Sequence, residues 1–304
     1  MSLDHLVALL AAVSLQANAS THAIPVTIAT VPLVQTIASP VPPVKKEGAG
    51  AGVVVSARSA IAVDVGSGEV LFAKEAEVVR PIASLTKLLT AMVVLDQGLR
   101  GEELITVDAR DFVEARPEFA AGDTMTREVA LRAMLIGSVN ELANAFARTS
   151  EGGEEAFMQA MRDKAAVLGL THTSLTEPSG INPRNTSTAS DVARLMRASL
   201  GYAEIRDMTT QGSITVTTTA GKNVKLDSTN LLLPTYLNQD PYRIIAGKTG
   251  SLPEAGYCLA QVTQNKEGKQ VIIVGLGSTD HFTRFQDVKA LTTWTLGAFT
   301  WDQK

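Results

Sequence analysis

Strand-forming runs stand at both ends of this chain, and a helical block separates them. Near the N-terminus, "AIAVDVGSGEVLFAKEA" reads as a hairpin, two β-rich runs around Gly66-Ser67-Gly68. Near the C-terminus, "YRIIAGKTGS", "GYCLAQVTQ" and "KQVIIVGLGS" read as three strands, the last two joined across "NKEGK". A sheet made from these runs is stitched from both chain ends. The order is not the strand–helix alternation of a parallel sheet. It implies an α/β (α+β) fold: an antiparallel five-stranded sheet covered by helices, with an inserted all-helical lobe.

The helical block begins with "RPIASLTKLLTAMVVLD", residues 80–96, where Leu88, Leu89, Met92, Val93 and Leu95 supply the apolar positions. "TREVALRAMLIG" follows, with Thr126 as its N-cap, then "VNELANAFART". "EEAFMQAMRDKAAVLG" carries Phe157, Met161, Ala165 and Leu168 on one stripe and stops at Gly169. "STASDVARLMRASLG" has a polar start and an apolar stripe of Val192, Leu195 and Met196. "SITVTTTAGKNVKL" reads as a second hairpin, and a final core helix starts near Phe282.

Ahead of the fold, residues 1–23 read as a signal peptide. Leu6 to Leu15 is an apolar run too short to span a bilayer, followed by small-x-small cleavage options ending at Ala19 and Ala23. Its n-region, "MSLDH", is atypical in lacking Lys and Arg. Residues 24–52 hold five prolines and end in "GAGAG", the composition of an extended, disordered linker. The catalytic domain is expected over 53–304. The chain is therefore expected to be exported, periplasmic or extracytoplasmic, with no transmembrane segment. A net charge of −4 argues against a nucleic-acid partner. The single cysteine, Cys258, excludes an intramolecular disulfide and reads as a buried strand position.

Elimination narrows the chemistry. His5 and His22 fall in the signal region, no G-x-S-x-G turn exists, and His172 and His281 read as ordinary polar residues. With one Cys and two usable His, no metal site and no cofactor is expected. "GKT" at 247–249 is not a phosphate loop, because Tyr242 stands where that motif needs Gly. What remains is a serine with a lysine base. Ser84 and Lys87 stand three residues apart, on one helical face. A serine hydroxyl must lose its proton as it attacks. A lysine accepts that proton when desolvation or a neighbouring cation favours its neutral form. The helix N-terminus adds backbone N–H groups aimed at developing negative charge. Alone, S-x-x-K arises by chance about once in a few hundred residues. Here it has companions: Ser138-Val139-Asn140 at a break between two helices, and Lys248-Thr249-Gly250 on a strand. A second S-x-N, Ser228-Thr229-Asn230, lies between strands rather than in the helical lobe and is set aside.

This trio, in this order, resembles that of penicillin-binding proteins and class A β-lactamases. Together with "LGLTHTSLTEPSGINPRNTSTASDVARLM", "STNLLL" and "KTGSLPEAGYCL", it makes residues 56–295 similar to the serine D-Ala-D-Ala carboxypeptidase family, the low-molecular-mass penicillin-binding proteins. The likeness is to the small single-domain, DD-endopeptidase type, without the extra C-terminal β domain or amphipathic anchor of larger members. The resemblance implies Ser84 as acylated nucleophile, Lys87 as general base and Ser138 as proton relay to the leaving amine. It implies that Asn140 binds the substrate amide and that Lys248 and Thr249 hold its terminal carboxylate. The N–H groups of Ser84 and Ser251 would form the oxyanion hole, and Gly250 would let the substrate backbone lie against the strand. Peptidoglycan stem peptides would be the substrates and β-lactams covalent inhibitors. Val139 stands where Gly or Asp is common, and Ser251 where some members have His. "TEPSGIN" is similar to the Glu-bearing loop of class A β-lactamases but one residue too long, so Glu177 reads as structural.

The expected function is a serine DD-peptidase, carboxypeptidase and/or endopeptidase, acting in cell-wall remodelling. The alternatives are a serine β-lactamase, which needs a base for the deacylating water, and a catalytically silent peptidoglycan-binding module.

Overall fold

The computed structural model describes residues 41–50, 52–113 and 117–301. Its strands are β1 (Ser59–Asp64), β2 (Val70–Lys74), β3 (Tyr242–Leu252), β4 (Gly256–Asn265) and β5 (Gln270–Ser278). They form one antiparallel sheet in the order β3-β4-β5-β1-β2. The two chain ends meet where β5 pairs with β1, from Val271↔Asp64 to Leu276↔Ser59.

Alternation along the strands divides the core in two. Ile61, Val63, Ile272, Val274, Ala260 and Val262 face one side of the sheet, and Ala60, Ala62, Val271, Ile273 and Leu259 face the other. Both faces are covered, which is why β1 is buried at every position and β5 reads as a nearly unbroken apolar run. Among the described residues there are seven α-helices: α1 (Lys87–Asp96), α2 (Arg127–Ile136), α3 (Asn140–Arg148), α4 (Gly153–Val167), α5 (Ala189–Ser199), α6 (Ala203–Thr209) and α7 (Thr283–Ala298). The expected terminal core helix is α7, which packs Phe285, Val288 and Leu291 on one sheet face. The other face carries α5 and α1. Every residue of α1 from Lys87 to Val94 is buried, so this helix runs through the core rather than over it.

Two expectations are corrected. The inserted lobe is not all helical, because Leu104–Thr106 pairs with Thr124–Thr126; the hairpin expected over 213–226 is present and pairs Ser213–Thr217 with Asn223–Asp227 against α2. The first of these pairings is three residues per strand, too short to leave a period in the sequence. The stretch read as a disordered linker is docked over its last residues. Val44–Lys45 pairs with Phe299–Thr300, Lys46 N donates to Ala298 O at 2.8 Å, and Trp294 Nε1 donates to Ala49 O at 3.2 Å. The strand at the C-terminal end satisfies backbone groups that composition alone assigns to solvent. The signal-peptide reading and residues 24–40 of the linker lie outside the described residues. Among the described residues, no helix is long and apolar enough to cross a membrane.

Asp287 of α7 ties three elements together. Its carboxylate accepts from Ser56 N (2.7 Å), Ser56 Oγ (2.7 Å), Ala57 N (2.9 Å) and Ser278 Oγ (2.7 Å). Asp287→Ala leaves the buried Ala57 N–H without this acceptor and is expected to cost about 2–4 kcal/mol. Calorimetry checks this as a Tm lowered by about 5–12 °C; an unchanged Tm would mean that the segment before β1 is held by other contacts.

Candidate active site

Ser84 sits in a 3-10 turn, Ala83–Thr86, that runs directly into α1. The regular helix starts at Lys87, three residues later than the sequence pattern places it. Ile82 N, just before the turn, donates to Asn185 O at 3.0 Å, and within the turn the Thr86 hydroxyl donates to Ala83 O at 2.9 Å. Ala83 has φ 49°, in the left-handed region that non-glycine residues avoid. Ser138 has φ 62°, at the break between α2 and α3. Two of the three motifs thus sit on backbone that costs about 1–3 kcal/mol per residue, held by surrounding contacts.

Lys87 is 0% exposed. Its Nζ donates to Ser84 Oγ at 3.0 Å, to Asn140 Oδ1 at 2.5 Å and to Ser179 O at 2.5 Å. Lys248, 1% exposed, donates to Ser138 Oγ at 2.8 Å and to Thr249 O at 3.1 Å. Each lysine therefore reaches one serine hydroxyl. Burial holds Lys248 well below the ordinary lysine value, and the charges of Lys87 and Arg284 push the same way. β3 is an edge strand, so Lys248-Thr249-Gly250-Ser251 face the Ser84 turn without an intervening strand. The cleft between them has a volume of ≈220 Å³, lined by Ser84, Ser138, Asn140, Gly180, Ser251 and Leu252 among others. Of the residues singled out in the sequence, Ser84, Ser138, Asn140 and Ser251 line this cleft, while Lys87 and Lys248 lie buried behind the hydroxyls. The Thr249 hydroxyl donates to Thr229 Oγ1 at 2.6 Å.

Gly250 lies against the Ser84 turn. A Cβ there would stand 2.9 Å from Ile82 O and 3.1 Å from Ser84 N, so its missing side chain admits the Ser84 turn. Gly180 presses from the other side. With φ +85°, its hypothetical Cβ would fall 2.1 Å from Ala83 O. Glu177 keeps that loop in shape. Its carboxylate accepts from Ser179 N (2.7 Å), Ser179 Oγ (2.6 Å) and Gly180 N (2.6 Å). These bonds bear out its structural reading, since both carboxylate oxygens are engaged within the loop rather than offered to a water. Asn230, of the rejected triplet, donates to Gln261 Oε1 at 3.1 Å and accepts from Leu232 N at 3.0 Å, a scaffold role beside β4.

Sequence reasoning missed three contributors. Ser179 offers Lys87 a backbone carbonyl, which no side-chain pattern reveals. Gly180 is one glycine among many until its neighbour is known. Arg284 donates from α7 to Gly250 O at 3.2 Å, and burial lowers its guanidinium to about 10. His281 instead packs edge-on against Tyr257, Phe282 and Phe285. Cys258 is buried, its thiol pushed up to about 11 by burial, as a structural strand cysteine.

Two outcomes follow from this geometry. Gly180→Ala forces the Ser84 turn to move and is expected to slow acylation by penicillin about 100-fold or more, measured by stopped-flow or gel labelling; a wild-type rate would show that the loop yields. Acylation should also rise with pH, because a lysine base must be neutral to accept the Ser84 proton. A rate flat from acid to alkaline pH would remove lysine from the proton path.

Comparison with known proteins agrees with this geometry. Residues 45–280 match the family model described as D-alanyl-D-alanine carboxypeptidase. A D-alanyl-D-alanine endopeptidase of Pseudomonas aeruginosa is 34% identical over 240 residues, 78% of this chain and 76% of that protein. One from Escherichia coli is 33% identical over 244 residues, 79% of this chain and 77% of that protein. Among solved structures, penicillin-binding protein D2 from Listeria monocytogenes, in its cefotaxime-bound form, superposes with TM-score 0.71 at 27% identity, covering 81% of this chain and 100% of that one. With its antiparallel sheet, its three motifs and a family match over residues 45–280, the chain belongs to the D-alanyl-D-alanine carboxypeptidase family.

Proposed function

We propose that the protein is an exported serine DD-peptidase that cleaves D-Ala-containing peptidoglycan stem peptides through an acyl-enzyme on Ser84. The observation that carries this reading is the pairing of Lys87 Nζ with Ser84 Oγ at 3.0 Å, with a second lysine–serine pair across the same cleft.

Ser84 Oγ attacks the carbonyl carbon of the penultimate D-Ala, and its proton passes to neutral Lys87 Nζ. The oxyanion forms against the N–H groups of Ser84 and Ser251. Lys248 and Thr249 hold the substrate's terminal carboxylate, and Asn140 takes the acyl-side amide. The C–N bond then breaks as the Ser138 hydroxyl gives its proton to the departing amine and is reprotonated through the lysine network. Water attacks the resulting ester, releasing the carboxylate and restoring Ser84. When the leaving amine is free D-Ala, the reaction is that of a carboxypeptidase. When it belongs to the side chain of a neighbouring stem peptide, the reaction opens a cross-link. The names of the relatives from Pseudomonas aeruginosa and Escherichia coli favour the endopeptidase branch. The engaged carboxylate of Glu177 disfavours β-lactamase turnover. β-Lactams, whose strained amide enters the same chemistry, act as covalent inhibitors. Such a substrate lies outside the cytoplasmic membrane, so the reading requires export, with residues 1–23 as the signal.

The test is a mass-spectrometric digest of purified muropeptides, with uncross-linked pentapeptides and cross-linked dimers offered together. Conversion of dimers to monomers by wild type, and its loss in Ser84→Ala together with loss of penicillin labelling, is the expected result. If neither substrate changes relative to the Ser84→Ala control, the peptidase reading fails.

A further inference from the structure

The two walls of the Ser84 cleft differ in charge. On the β3 side the lining is Ser251 and Leu252, which carry none. On the opposite side, beside Ser138, Val139 and Asn140, it includes two carboxylates, Glu118 and Glu141. Among the described residues, no lysine, arginine or histidine belongs to the lining, because Lys87 and Lys248 are buried behind the serine hydroxyls. A cleft lined by one sign of charge focuses that field on whatever enters it.

The two acids are used differently. Glu141, in the first turn of α3 and 4% exposed, accepts from Glu118 N at 2.8 Å and from Phe119 N at 3.0 Å. These bonds fasten residues 118 and 119 to the helix that begins with Asn140. Phe119 is buried in the main core, whereas its neighbour Glu118 stays exposed. Among the described residues, the Glu118 carboxylate has no hydrogen-bond or ion-pair partner. Two consecutive N–H groups therefore hold the backbone at Glu118, and its side chain carries an uncompensated negative charge on the cleft wall.

Asn140 says which part of a ligand meets this charge, given the acyl-enzyme reading on which this inference rests. Asn140 takes the amide on the acyl side, and Glu118 is tied to the next residue of α3, Glu141. The group attached beyond that amide therefore passes Glu118 on its way to solvent. We propose that Glu118 is a specificity-determining residue that sorts acyl donors by the charge of this group, favouring an ammonium and rejecting a carboxylate. Selection has an attractive and a repulsive half, and one fixed charge supplies both. Glu118 acts on binding and entry, while the bond-making step stays with Ser84 and its lysine.

The experiment measures second-order acylation constants for three penicillins that share a benzyl side chain and differ at its α carbon. Benzylpenicillin is neutral there, ampicillin carries an ammonium and carbenicillin a carboxylate. The ampicillin-to-carbenicillin ratio is compared between wild type, Glu118→Gln and Glu118→Lys, so that intrinsic differences between the drugs cancel. Attraction of one ligand and repulsion of the other, each on the scale of a solvent-exposed ion pair, should make the ratio about tenfold higher in wild type than in Glu118→Gln. Glu118→Lys should lower it about tenfold again, and salt at about 1 M should bring the wild-type ratio toward that of Glu118→Gln. A ratio that is the same in all three proteins overturns the proposal. So does a parallel fall for all three penicillins in Glu118→Gln, which would make Glu118 a support of the wall rather than a sorter of charge. Either result leaves the acyl-enzyme reading standing; wild type that no penicillin acylates overturns both.

Discussion

A fully buried ammonium group has to find acceptors, and this fold is arranged around the ones that Lys87 finds. Ser84 Oγ, Asn140 Oδ1 and Ser179 O come from the turn before α1, from the first residue of α3 and from the loop after α4. One side chain therefore fixes three segments that are distant in sequence. An unsatisfied charge at this position would cost several kcal/mol, so the three acceptors are placed by stability as much as by chemistry. The same arrangement serves reaction. Through its bond to Ser84 Oγ, the same side chain touches the hydroxyl that must lose its proton for attack. The Thr90 hydroxyl, one turn further along α1, donates to Pro178 O at 2.6 Å and fastens the same loop a second time.

Around this centre, absence of side chains matters as much as presence. The Ser84 turn is gripped between Gly180 and Gly250, each of which would collide with it if it carried a Cβ. The unfavourable φ of Ala83 is maintained between these two surfaces. Preorganisation of the nucleophile is thus a packing property, built from glycine on two separate elements, and does not depend on any group that titrates.

Much of this was legible in the sequence, and the boundary between legible and hidden is physical. One helical turn brings Ser84 to Lys87, so that pair could be read from spacing alone. Lys248-Thr249-Gly250 lay in an evident strand, and the apolar runs of β1 and β5 announced burial on both faces. Glu177 was readable because its partners Ser179 and Gly180 are local. The purpose of Gly250 was not: its close neighbours, Ile82 and Ser84, come from the far end of the chain. Arg284 likewise reaches Gly250 O only through tertiary packing. Residues 44–49 were misread for the same reason. Proline and glycine content describes the segment's own preferences, whereas its partners, Trp294 and Phe299–Thr300, are supplied by the opposite terminus.

That the sheet closes by joining opposite ends of the chain has a temporal consequence. As the polypeptide emerges from the ribosome, β1 has only β2 to pair with until residues 270–278 arrive, after the whole helical block has been made. A lone two-stranded hairpin is marginal in water. The core therefore stays open through most of synthesis, and closing it is a late, long-range event. The topology that assembles the catalytic cleft thus makes its completion one of the last events in the life of the nascent chain.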